Sequence, residues 1–561
     1  MRISGDTKCL PLLILLMSFA SPEIYQWTSA SSQINEVESA YADLMDAYYV
    51  LKTIDSGLFK VYQGKDRTAW SQIYQEKRKE VAAGLTKQTP GRHSSADARA
   101  ITLMRESVAS LTVEEPGKPG SLQPSGHCQD GQQKDLELSQ LQDALYACFD
   151  EIGNNLHFEG ANLTRVDALG LLATLEEPAR RKALFLEFQP LWQSINGQNE
   201  SDSPYRRRVR MAAIEAKRGS KIDAAARTLG VQSADVGRWL EQFLDAWRQA
   251  TGEQSIEPWD YYFINGKADR LLASATLRDA LLPITERYYK DLGADLKQLG
   301  ILYDLDPRPG KAPLAYMDFV TLGRWVNDAW KPTVLRISGN YQGAGLPLLN
   351  EFVHENGHAV HGAAIRNRPA FMDLGDDLFV EAFADVTSWD TYDPAWQQKY
   401  LGRSATESDS VRSQYSNVML DVAWALFELQ MLQKPDADPN AVWTEITAHY
   451  LHIVPHPELS WWAVRVQLVD PGGMVNYGLG AMVTADIRQR IRNSIGAYNT
   501  GNTQWYPWIS AHLLRFGKER ETSNLLRDFL ERPVSTQALL RDIHRVSRSP
   551  AKDASPSTPK P

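Results

Sequence analysis

Apolar residues recur at three- and four-residue intervals along most of the chain, the spacing of helices that bury one face. The pattern predicts helices over residues 35–62, 68–86, 95–113 and 134–152, then from 165 to 195 and, after a polar turn at 196–203, on through 251. Alternating or β-branched runs stand out at residues 302–306 and 333–338, which read as short strands. Helical spacing returns at Leu346, and the last clear helix covers about 536–546. Residues 114–133, rich in Pro, Gly and Ser, read as a surface loop, and residues 547–561, with almost nothing apolar, read as a disordered tail. No repeat of fixed period is present. A mainly α protein with a small β element just before residue 346 is the expectation.

The helix that starts at Leu346 carries the chemistry. Residues 354–361 read His-Glu-Asn-Gly-His-Ala-Val-His. His354 and His358 are four apart, so their imidazoles project from one helix face and can hold one metal ion, with Glu355 able to reach a water on that metal. The chain has 11 His, and chance would supply such an H-E-x-x-H match only about 0.03 times, so the spacing is taken as a site. A catalytic zinc takes three protein ligands and keeps one position open. Glu381, 23 residues after His358 on a stretch with helical spacing, is the expected third ligand. Asp385, four residues further on the same face, can accept the N–H of a ligand histidine and raise its basicity. The longer H-E-x-x-H-x-x-G-x-x-H pattern fails, because positions 361 and 364 hold His and Ala. His361 is left either lining the cleft or packing.

Further segments resemble one family. Residues 303–311 (Tyr-Asp-Leu-Asp-Pro-Arg-Pro-Gly-Lys) are similar to its Asp-Leu-x-x-Arg-x-Gly-Lys element, and residues 257–262 to its Trp-Asp-x-x-Tyr element. Residues 332–343 and 346–353 resemble the strand and approach helix that precede its zinc motif. The family is that of thimet oligopeptidase and oligoendopeptidase F, zinc peptidases of the gluzincin type, with angiotensin-converting enzyme more distant. The likeness is clearest over residues 255–390. It implies two helical halves flanking a deep channel for short peptide substrates, one Zn2+ per chain held by His354, His358 and Glu381, and Glu355 as catalytic base. Residues 475–480 and 485–486 resemble the end of the family's substrate-binding segment, which makes Tyr477 the expected oxyanion donor. The histidine usual in that segment has no counterpart between His456 and Tyr477; Arg465 is one replacement and His456 a fallback. That departure keeps open a catalytically silent relative that binds peptides or a partner protein.

Composition adds limits. With 43% hydrophobic and 23% charged residues the chain is an ordinary globular one, and a net charge of −9 excludes a general nucleic-acid role. The basic cluster Arg206, Arg207, Arg208 and Arg210 reads as a solvated helix face. Residues 1–30 read as a signal peptide: Arg2 and Lys8 precede an apolar run at 10–20, with small residues near Ala30. The expected product is an exported, periplasmic or secreted protein without stable membrane insertion, its metallopeptidase domain spanning residues 31–546. Of three cysteines only Cys128 and Cys148 would survive cleavage, and an even count in an exported chain permits a disulfide.

Overall fold

The computed structural model describes residues 32–88, 93–111, 126–306, 311, 315–327, 329–341 and 343–547. The expected signal peptide, residues 307–310 of the 303–311 element, most of the 114–133 loop and nearly all of the tail lie outside these residues. The architecture is mainly α, as the spacing predicts. Helix α1 (Ser32–Asp55) packs along the helix Arg67–Thr86. It stops before the expected residue 62 because Gly57 adopts φ 82°, a left-handed conformation that ends a helix, and the chain turns into a two-residue hairpin.

The β element differs from expectation in one respect that matters for the site. Strands β1 (Leu302–Asp304) and β3 (Val334–Ser338) form where the sequence places them and run parallel. A third strand, β2 (Tyr316–Thr321), pairs antiparallel with the other side of β3, so the order is β1-β3-β2 and β3 is central. Asp318 of β2 lies opposite Arg336 of β3, and the two form a 3.0 Å ion pair against the fully buried arginine, with Lys52 of α1 adding a 3.3 Å contact.

Helix α2 (Leu346–Ala364) begins where Gly345, at φ 133°, turns the chain and donates its N–H to Thr276; Pro347 sits in the first turn. This helix is buried on nearly every side. It packs against α3 (Asp377–Ser388), which packs in turn on α5 (Met474–Ile495); the long helix α4 (Glu407–Gln433) covers α5 from another side. Contact between α2 and α3 is close because residue 357 is glycine: a Cβ there would lie 2.8 Å from the Ala384 Cα. Thr484 Oγ1 donates to the Ala382 carbonyl at 2.8 Å and ties α3 to α5.

Two further expectations are resolved. Arg206 and Arg208 are buried rather than solvated: Arg208 donates to the Val469 carbonyl and pairs with Asp470 at 2.9 Å, so the basic cluster is structural. Cys128 and Cys148 form a disulfide. Among the described residues no helix is long and apolar enough to cross a membrane.

Candidate functional site

Six of the residues singled out from the sequence meet in one place. His354, Glu355, His358, Glu381, Asp385 and Tyr477 line a single cavity of about 500 Å³. The first three project from α2, Glu381 and Asp385 from α3, and Tyr477 from the first turn of α5. The imidazoles of His354 and His358 stand perpendicular with their centres 4.6 Å apart, as a one-turn offset on a helix allows.

His354 is fixed from both sides. Its Nδ1 hydrogen-bonds Asp385 Oδ1 at 2.8 Å, while its Nε2 faces Glu381 Oε2 at 3.3 Å. The Ser388 hydroxyl donates to the same Asp385 oxygen at 2.8 Å and so orients the carboxylate. Helix α2 is itself held in register: Asn350 donates to the Ser388 carbonyl, the Tyr289 hydroxyl to the Val353 carbonyl, and the Tyr303 hydroxyl to Asn356.

Electrostatics separate the two histidines. Burial pulls His354 down, but the Asp385 and Glu381 carboxylates together outweigh it and leave its pKa well above the ordinary value. Burial and the charge of His354 push His358 well below its ordinary value, so it is a neutral imidazole. Glu355 is 6% exposed, its Oε2 is buried without a hydrogen-bond partner, and burial lifts its pKa to about 8 against the opposing pull of His354. Burial and the charge of Glu381 raise Tyr477 well above the usual phenol, which keeps its hydroxyl a donor.

The donor set suits a cation. Atoms offered by His354, Glu355 and His358 all lie within 4.8 Å of one another, and Glu381 reaches His354 from the neighbouring helix. Two imidazoles and a carboxylate, one imidazole backed by a hydrogen-bonded acid, are ligands that zinc favours.

Other sequence candidates separate clearly. His361 is buried between Phe379 and Phe383 and packs instead of lining the cavity. His456 lies on Trp259 and bonds Glu257 and Glu458, away from the cavity lining. Arg465 does line it, lying over the Tyr477 ring at 5.2 Å and pairing with Asp421 at 3.0 Å. Arg165, Glu351, Asp421 and the strand residues Tyr316 and Met317, which carry no motif, also border the cavity. Ser388 could have been found, three residues after Asp385 on the same helix.

No protein-family model matches the chain, and no curated protein sequence matches it. Solved structures do. PZ peptidase A with an inhibitor is 13% identical with a TM-score of 0.56, over 91% of this chain and 96% of that one. A candidate oligoendopeptidase F from Bacillus anthracis str. Ames is 15% identical with a TM-score of 0.52, over 93% and 96% of the two chains. The M32 carboxypeptidase from Deinococcus radiodurans R1 is 14% identical with a TM-score of 0.51, over 91% and 98%. The chain has the fold of these helical peptidases along nearly its whole described length.

Proposed function

We propose that this protein is a zinc-dependent peptidase acting on short peptides. The observation that carries the reading is the convergence of His354, His358, Glu381, Glu355 and Tyr477 on one cavity, with Asp385 fixing His354. His354, His358 and Glu381 would hold the metal. Bound zinc supplies Lewis acidity, making a water acidic near neutral pH and polarising the scissile carbonyl. Glu355 takes the proton of the attacking water and passes it to the departing amine. Its unpartnered Oε2, inside the cavity wall, suits a group that exchanges protons with what enters. The Tyr477 hydroxyl donates to the oxyanion, a contact worth about 3 kcal/mol in comparable sites.

Binding of an extended peptide has a support in the sheet. The strand that borders the cavity is β2, through Tyr316 and Met317, and it is an edge of the three-stranded sheet. Backbone pairing along such an edge would give sequence-tolerant binding. Export is part of the proposal: the N-terminal pattern of residues 1–30 and the Cys128–Cys148 bridge both suit an oxidising compartment.

Zinc analysis of the purified chain tests the reading. One zinc per chain, lost in His358→Ala and retained in Glu355→Gln, with peptide cleavage abolished in both, is the expected result. Cleavage that survives complete removal of metal would overturn it. Arg465, where the related peptidases are expected to carry a histidine, favours a second reading in which the site binds peptides without cutting them. Full zinc occupancy and tight peptide binding with no turnover would identify that case.

A further inference from the structure

Arg165 opens the helix Arg165–Leu172 and lies 189 positions before His354, yet its side chain lines the same cavity. It also lines an adjoining chamber of about 230 Å³, together with Tyr262, Glu351, Asp421 and Arg465. The residue is 7% exposed and makes no hydrogen bond or ion pair among the described residues; its Nε is buried with no partner. Every other buried arginine among them is paired: Arg181 with Asp260, Arg206 with Asp438, Arg208 with Asp470, Arg336 with Asp318 and Arg488 with Asp390. Arg165 instead has a second cation beside it. Burial and the charge of Arg465 hold its guanidinium down to about 10. Glu351 attracts it without reaching contact, and Asp421 is already taken by Arg465 at 3.0 Å.

A buried cation without a counterion is costly, and folds retain one where an anion arrives to balance it. We propose that Arg165, with Arg465 beside it, receives the C-terminal carboxylate of the peptide substrate, so that the enzyme trims peptides from their C-terminal end. This rests on the peptidase reading and narrows it. The planar guanidinium fork matches a carboxylate through two parallel hydrogen bonds. Position agrees as well. Glu351 interacts electrostatically with both Arg165 and His354, and it sits one turn before Glu355 on α2. Arg165, Glu351, Asp421 and Arg465 line both the chamber and the cavity that holds the metal donors, so a carboxylate bound there lies close to the scissile bond.

Three versions of one peptide test the proposal: the free acid, its C-terminal amide, and an amide with Glu in the last position. Binding is read by calorimetry on full-length Glu355→Gln, and cleavage by product mass on wild type. The expected result is at least tenfold tighter binding of the free acid than of either amide. Arg165→Met should bring the acid down to the level of the amides. Wild type should release fragments of one or two residues from the acid. Equal binding and equal cleavage of acid and amide would refute the carboxylate site while leaving the peptidase intact. Acid-selective binding without any cleavage would refute the peptidase while leaving the carboxylate site. Tight binding of the Glu-terminated amide would assign the arginines to side-chain carboxylates and overturn the proposal. Removing an unpaired charge should not unfold the chain, and the comparison on Glu355→Gln alone decides if Arg165→Met is not recovered.

Discussion

Gly357→Ala probes the close contact on which the site depends. Glycine is about 1 kcal/mol worse than alanine inside a helix, so local propensity alone predicts that the substitution stabilises. Packing predicts the opposite. The new Cβ would lie 2.8 Å from Ala384 Cα and 2.9 Å from its carbonyl oxygen, against ordinary contacts that begin at 3.4 Å. Both atoms belong to the α3 backbone and cannot rotate aside, so α2 and α3 must separate by about 0.5 Å. Overpacking of this kind costs about 1–3 kcal/mol, which leaves a net loss of up to about 2 kcal/mol after the propensity gain. The same displacement moves His354 and His358 away from Glu381 and Asp385, because the two pairs sit on opposite sides of that contact. Metal sites tolerate about 0.2 Å, so zinc affinity should fall at least about tenfold. Denaturant unfolding of the metal-free protein and zinc titration measure the two effects separately. Gly170→Ala is the control: its Cβ would meet nothing within 4 Å, and it should stabilise by about 0.5–1 kcal/mol. A Gly357→Ala variant as stable as wild type, with undiminished zinc affinity, would refute the reasoning.

Further expectations follow from other contacts. Asp385→Asn, which weakens the bond to His354 Nδ1, should lower zinc affinity about 10–100-fold while leaving the fold intact; unchanged affinity in a zinc titration would remove Asp385 from the site. Replacing Cys128 and Cys148 by Ala opens a loop of 20 residues and should cost about 3 kcal/mol in denaturant unfolding; an unchanged midpoint would mean that the bridge does not form in solution. Glu428 is buried, accepts the Met474 N–H, and is pushed up to about 8 by burial. The folded state therefore holds a proton that the unfolded chain releases near pH 4.5, so stability is full below that value and falls as pH rises toward 8. Glu428→Gln should remove a few kcal/mol of that slope between pH 5 and 8; equal slopes in the two proteins would contradict the burial argument.

What could be read from the sequence was local. Two histidines one turn apart, a glutamate between them, and a Glu-Asp pair one turn apart are geometric statements about single helices, and packing needed only to bring α2 and α3 together. Strand β2 was missed because Asp318 interrupts its apolar pattern. The interruption makes sense only with Arg336, a partner 18 positions away on β3. Arg208 looked solvated for the same reason: the group that buries and pairs it, Asp470, is 262 positions away. Arg165 is the extreme case. Nothing near it in sequence hints at a site, and its significance comes from having no contacting counterion among the described residues, in a chamber whose walls come from distant segments. Tyr477 lies between these cases, found by resemblance and placed in the cavity lining by the start of α5.

The most direct test is mass-spectrometric mapping of a mixture of peptides of 5–15 residues, incubated with zinc-loaded wild type and with Glu355→Gln in parallel. Cuts made by wild type alone, clustered one or two residues from the C-terminus, are the predicted result. An intact mixture after incubation with wild type carrying one zinc per chain would contradict the assignment of a peptidase.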